Sequence, residues 1–431
     1  MNHEVNEQGQ LMIGQVSAKE LADHYGTPLY VYDVEKIREK ARAFVRTFHE
    51  NDVPAQVAYA SKAFSSVAIL QVAHQEGLSL DVVSEGELHT ALEAGFPVGK
   101  IHMHGNNKSV RELEMAVEHG IGCIVVDNFY EIELLSNILD DQDRDMDVLL
   151  RVTPGIEAHT HDYILTGQED SKFGFDLTSG QAEEAFMKVE DHKRIRLLGL
   201  HCHIGSQIFE TSGFEMATRK LFTTLKEWKD RFEYTADVLN LGGGFGIQYT
   251  KEDQPLDLDQ YAYALIGEVK GLSEHYGYPM PEIWIEPGRA IVGEAGTTIY
   301  TIGSIKDIPD VRTYVSVDGG MTDNIRPALY QAKYEAALVD KMNESEEKEY
   351  SIAGKCCESG DMLIWDVALP KVEHGDRLAV FSTGAYGYAM ANNYNRFQKA
   401  AVVFVENGLH QLVVRRESYQ EMTRLDLSYE K

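Results

Sequence analysis

The chain has 431 residues, 43% of them hydrophobic and 25% charged, which is an ordinary globular balance with material for two or three domains or one large barrel with an appendage. Its 69 acidic residues against 40 lysines and arginines give a formal charge of −29, a field that repels nucleic acid and anionic membrane and argues against any polyanionic partner. "MNHEVNEQGQ" carries no secretion pattern, no apolar run approaches the ~20 residues of a membrane span, and the four cysteines show no metal-ligand spacing, so a reduced cytoplasmic protein is expected.

The first β-rich run is "LYVYD" (29–33). Eight more follow: "QVAYASK" (56–62), "SLDVVS" (79–84), "IHMHGN" (101–106), "CIVVDN" (123–128), "DVLLRVTP" (147–154), "LLGLHCHIGS" (197–206), "VLNLGGGFG" (238–246) and "EIWIEPGR" (282–289). Segments of helical spacing separate them, such as "SVAILQVAHQEG" and "GELHTALEAG", each closing on a glycine where a helix C-cap falls. Strand and helix repeated to eight strands predict a (β/α)8 barrel over residues 36–293, with an open doubly wound sheet as the alternative. After Gly296 come strands with turns and little helix between them: "TTIYTIGSI", "RTYVSVDGG", "EYSIAGKC", "DMLIWDVALP", "DRLAVFSTG" and "AAVVFVENGLHQLVVRR". That pattern predicts an antiparallel β domain from residues 294–431, which residues 1–35 join through "LYVYD".

In a parallel barrel the C-terminal strand ends converge on one mouth, and the chemistry-bearing residues sit at those ends. Lys62 ends the first predicted strand and shares a face with Ala58 and Ala60, so an amine lies over empty space. His203 and Ser206 end the sixth, Gly242, Gly243 and Gly244 the seventh, and Glu286 to Arg289 the eighth. Three glycines where a strand passes to a helix let backbone N–H groups approach a phosphate, with the helix N-terminus adding to the attraction. The arginine of "IEPGR" suits a phosphate or carboxylate. Alone, each turn is as easily structural, Lys62 as easily a surface lysine, and "HCH" also fits a metal pair of His201 and His203. The other strand ends, however, offer lysine, glycine, glutamate and arginine rather than further metal ligands, and His201 reads as a packing residue. The histidine-bearing segment "EAHTHDY" (157–163) reads as a surface or lid loop. An amine for an aldehyde, a phosphate cradle, a flat ring and a carboxylate together describe a pocket for pyridoxal 5'-phosphate, with no metal.

The motifs "YASKA", "HGNNKS", "DSKFGF", "LHCHIGSQI", "LGGGFGI", "IEPGR", "RPALY", "CESGD" and "GAYGYAM" stand in the order in which they occur in the fold-type III pyridoxal-phosphate decarboxylases, and the chain resembles that family over essentially its whole length. The resemblance implies that Lys62 holds the cofactor's aldehyde and that His203 stacks on its ring. It places Ser206, Gly242, Gly243, Gly244 and Tyr386 around the phosphate, and Glu286, Pro287, Gly288 and Arg289 on the cofactor. Arg289, Arg326, Tyr330, Glu358 and Tyr386 are implied in substrate binding, and Lys62 or Cys357 in returning a proton to the product. Cys357 and Glu358 come, by the same resemblance, from the partner subunit of a homodimer. Two arginines at the far end favour an amino acid with a second carboxylate over ornithine, lysine, arginine or a polyamine precursor. Two departures stand out: Glu85 in "VSEGEL" adds charge, and Cys356 lies directly before the thiol assigned to Cys357.

Overall fold

The computed structural model describes residues 3–156 and 171–429, so the loop 157–163 lies outside the described residues. The chain divides into two units: residues 38–247 with 254–291, and residues 1–37 with 248–253 and 292–431.

The first unit is a closed barrel of eight parallel strands: Ala55–Ala60, Ser79–Val82, Ile101–Met103, Cys123–Val126, Met146–Thr153, Ile195–His201, Val238–Asn240 and Glu282–Ile285. The eighth closes on the first, with Ile283 beside Ala55 and Ile285 beside Val57. Helices start where a side chain can satisfy an orphan N–H of the first turn. Ser66 caps Val67–Gln75 by accepting from Ile69 N–H, Ser84 caps Glu85–Glu93, and Asn128 caps Phe129–Gln142. Ser109 and Glu112 form a capping box on Val110–His119. The long helix Ser212–Phe232 buries Phe214, Ala217, Thr218, Leu221, Leu225 and Trp228, positions three or four apart that make one face.

Alternation along the strands layers the barrel interior. Cys123, Val125, Leu149, Val238 and Trp284 form an apolar cluster. Two residues further along their strands come Asp127, Arg151, Asn240 and Glu286, all buried and all polar. The polar layer therefore lies towards the C-terminal strand ends, where a barrel's chemistry belongs.

The second unit is a mostly antiparallel sheet in the order Met362–Leu369, Lys348–Ala353, Arg312–Val317, Gly296–Ile308, Leu29–Asp33, Ala401–Glu406, Leu409–Val414. Two of its pairs are parallel, contrary to the antiparallel expectation: Leu29–Asp33 with Ala401–Glu406, and Arg312–Val317 with Lys348–Ala353. Parallel neighbours need a long crossover, and most of the chain separates Leu29–Asp33 from Ala401–Glu406. Leu11, Ile13, Leu21, Val31, Ile299 and Val403 belong to this unit's core. Among the described residues no helix is long and apolar enough to cross a membrane.

Candidate active site

Several strands end earlier than the sequence patterns suggest. The first stops at Ala60, so Lys62 stands on the 3-10 turn Ser61–Ala63 and is exposed rather than desolvated. Two contacts fix this turn against the loop after the eighth strand. Ala60 N–H donates to Pro287 O at 3.2 Å, and a Cβ on Gly288 would come within 2.9 Å of Ala60 O. The close approach of the "EPGR" turn to the lysine-bearing turn thus requires the glycine.

His203 and Ser206 lie in the loop after His201, where the sixth strand ends. The glycine loop is wedged beside it. A Cβ on Gly242 would lie 2.4 Å from Cys202 O, on Gly243 2.1 Å from Glu286 O, and on Gly244 2.2 Å from Gly205 O. Gly242 and Gly244 also have φ of +67° and +108°, conformations that glycine alone adopts readily. The expected helix does not follow this loop directly, because the next one starts at Leu258. Its N–H groups act locally instead: Gly242 donates to Asn240 Oδ1 and Gly243 to His203 Nδ1. Burial first, then the charges of Lys62 and Arg151, hold His203 well below its ordinary pKa, so the ring that accepts from Gly243 is neutral. Arg289 opens the short helix Arg289–Val292 and donates from Nη2 to Ser206 Oγ at 2.8 Å.

Glu286 is the most elaborately held group. Asn240 Nδ2 donates to its Oε1 at 2.7 Å, His201 Nε2 lies 3.2 Å from Oε2, and His104 Nε2 lies 3.1 Å from Oε1. Burial alone would raise this carboxyl, but the imidazoles of His104 and His201 beside it outweigh burial and hold the group well below the usual range. His201 is therefore a partner of the carboxylate, not the packing residue expected, and burial lowers its own pKa to about 4. The two imidazoles of "HCH" serve different partners, His201 meeting Glu286 and His203 meeting Gly243. One atom each of His104, His201 and Glu286 does converge within 4.8 Å, but this cluster is the support of that same carboxylate.

Four members of this network were not anticipated: Asp81, His104, Arg151 and Asn240. A signal for His104 was present, since "HMH" ends the third predicted strand just as "HCH" ends the sixth. Glu85, the unexpected charge, is paired on the outer helices with Arg111 at 2.8 Å.

Arg326, Tyr330, Cys357, Glu358 and Tyr386 belong to the second unit. Arg326 starts the short helix Arg326–Tyr330, is 9% exposed, and donates to Tyr334 OH at 2.7 Å with its guanidinium 5.0 Å from the Tyr249 ring and 5.9 Å from that of Tyr386. Among the described residues no carboxylate pairs with it, and Tyr249, Tyr334 and Tyr386 outweigh burial and favour its charged form. Tyr386 has φ of +59°, a conformation costing a bulky residue about 1–3 kcal/mol and typical of functional sites. Tyr330 is exposed. Cys357 and Glu358 lie in the connection between Lys348–Ala353 and Met362–Leu369. Burial, with Asp361, drives the Cys356 thiol up to about 12, whereas Cys357 is exposed with its N–H tied to Asn395 Oδ1. Of the adjacent thiols, only Cys357 is open to react.

A barrel whose mouth gathers a lysine, a glycine cradle and a buried carboxylate defines a class, and the chain belongs to it: residues 34–293 match the pyridoxal-binding domain of the pyridoxal-dependent decarboxylases. Particular relatives narrow the class. The chain is 63% identical to the diaminopimelate decarboxylase of Bacillus subtilis over 98% of its length and 97% of the relative's, and 66% identical to that of Bacillus methanolicus over 96% of each. Among solved structures, the diaminopimelate decarboxylase of M. jannaschii superposes with a TM-score of 0.93 at 35% identity, covering 99% of this chain and 98% of that one. A lysine/ornithine decarboxylase of Vibrio vulnificus, at 23% identity and a TM-score of 0.76, shares the fold.

The cofactor of this family is pyridoxal phosphate, and the residues present suit it. The mouth provides a primary amine, a carboxylate fixed in its ionised form by three neighbours, and a loop in which no side chain fits between backbone and backbone.

Proposed function

We propose that the chain removes one carboxylate from meso-2,6-diaminopimelate, yielding L-lysine and CO2 as the last step of lysine biosynthesis, and that it works as a cytoplasmic homodimer. The observation that carries the reading is Glu286, a buried carboxylate kept ionised at a barrel mouth that also holds Lys62. Pyridoxal phosphate, when bound, supplies an aldehyde for an amine and a ring that accepts the electrons left when CO2 departs.

In this reading Lys62 would hold the aldehyde and yield it to the substrate amine. Glu286 keeps a proton on the pyridine nitrogen, since an anion beside that nitrogen favours its charged form. His203, neutral and anchored by Gly243, presents a flat ring to the cofactor. Ser206, Arg289, Tyr386 and the backbone of Gly242, Gly243 and Gly244 would surround the phosphate, with Pro287 and Gly288 shaping the turn. Arg326 is assigned to the substrate's distal carboxylate together with Arg289, Tyr330 and Glu358. Cys357 or Lys62 returns a proton to the carbon that lost its carboxylate. Support for the dimer is the resemblance that assigns Cys357 and Glu358 to a partner subunit.

CO2 release measured over a panel of meso-diaminopimelate, lysine, ornithine and arginine tests the substrate. Release from diaminopimelate is expected to dominate. Arg326→Ala should cut kcat/KM for it by about 30-fold or more, the cost of about 2 kcal/mol for losing a desolvated charge partner, with far less effect on residual action on lysine. Equal loss on both would count against the assignment.

A further inference from the structure

Two buried carboxylates and one imidazole nitrogen meet beneath the mouth. Asp81 is in the second strand, Glu286 follows the eighth, and His104 follows the third. His104 Nε2 lies 3.8 Å from Asp81 Oδ1 and 3.1 Å from Glu286 Oε1. The three residues are 2%, 5% and 7% exposed in the order Asp81, His104, Glu286. Two buried carboxylates that reach the same nitrogen repel each other, so one of them takes up a proton unless a cation is placed between them. An Nε2 lone pair directed at two carboxylates is repelled by both, while an Nε2–H is attracted to both.

Burial raises the Asp81 carboxyl, and the positive charges of His104, Lys62 and Arg151 act against that rise, with His104 Nε2 within 4 Å of both carboxylates. Asn240 donates to Glu286 Oε1 but carries no charge. His201, whose ring stands edge-on to His104 at 5.0 Å, is held neutral by burial. Arg151 contributes a more distant positive charge and leans towards Asp127 at 3.8 Å. His104 Nε2 lies nearer Glu286 Oε1 than Asp81 Oδ1, yet within 4 Å of both carboxylates. Burial opposes a charge on His104, and Asp81 and Glu286 outweigh it.

We propose that His104 is a positioning residue that stands as an imidazolium between Asp81 and Glu286 and thereby keeps Glu286 the anion that the cofactor's pyridine nitrogen needs. The inference rests on the reading of the barrel mouth as a pyridoxal-phosphate site and adds to it a residue that acts through Glu286. Without the imidazolium, repulsion from Asp81 would favour a proton on Glu286, which would then offer a donor instead of an anion to the ring nitrogen.

The test is 15N magnetic resonance of the ring nitrogen in holoenzyme loaded with ring-labelled pyridoxal phosphate. The native enzyme is expected to give a protonated ring nitrogen at neutral pH, and His104→Gln an unprotonated one, with kcat lower by about 10- to 100-fold, as when the group orienting a ligand is lost, and KM little changed. Adding Asp81→Asn to His104→Gln removes the competing carboxylate and should restore the protonated signal. A loaded His104→Gln enzyme whose ring nitrogen stays protonated would overturn the proposal, as would a double variant no better than the single. If His104→Gln does not fold, the imidazole 15N resonances of His104 in native holoenzyme decide: imidazolium supports the proposal, neutral imidazole overturns it. Native protein that takes up no pyridoxal phosphate would instead defeat the functional reading itself.

Discussion

Asp323, in the second unit, is 2% exposed, and burial pushes its carboxyl from 3.8 up to about 7 despite the N–H it accepts from Gly320. A carboxyl that holds its proton more tightly when folded adds stability below its unfolded pKa and loses it as pH rises through the folded value. Asp323→Asn should therefore gain on the native protein by up to about 4 kcal/mol as pH goes from about 4 to about 7, at 1.36 kcal/mol per unit. Urea unfolding of both proteins across that window measures it, and parallel curves would contradict the shift. At this scale the sequence was informative about residues with one conspicuous property, such as Lys62 among alanines or a run of glycines. It was silent about those whose role depends on a neighbour on another strand. Asp81, Asn240 and Arg151 look like ordinary strand residues until closure of the barrel brings them to the same layer. His201 was misread for the same reason, because its partner Glu286 lies 85 positions away.

Among the elements, the loop between the third strand and its helix is held by a buried ion pair. Lys108, its side chain 1% exposed, donates to Gly105 O, Val125 O and Glu131 Oε1, and Glu131 Oε2 accepts from Asp127 N–H. The pair fastens "HGNNKS", which His104 opens, to the fourth strand and to the first turn of its helix. Removing one partner leaves the other charged and unpaired, so Lys108→Ala should cost about 3–5 kcal/mol, read as a fall in the urea midpoint, while Lys108→Met with Glu131→Leu should cost much less. Equal losses would show that the pair is not what the loop depends on. Strand order and helix placement were readable because alternation and caps are local. Strand ends were not, since the chain leaves the ladder at Ala60 and His201 for reasons of contact with other loops, as Gly288 against Ala60 illustrates.

For the whole molecule, the two-unit architecture followed from a change of pattern after Gly296, whereas the parallel pairing of Leu29–Asp33 with Ala401–Glu406 depends on chain ends that no local signal connects. The proposed dimer has a direct consequence. If Cys357 is the proton donor and serves a site whose Lys62 belongs to the other subunit, Lys62→Ala and Cys357→Ala proteins should each be inactive alone and regain about a quarter of native activity when subunits are exchanged in equal amounts, because half the dimers then hold one intact site. No recovery after proven exchange would assign both residues to one chain.

The account depends above all on Lys62 as the amine that carries the cofactor. Borohydride reduction of the yellow holoenzyme, followed by peptide mass analysis, should place a single pyridoxyl adduct on the peptide containing Lys62. An adduct on another lysine, or none from protein that binds the cofactor and releases CO2, would contradict it.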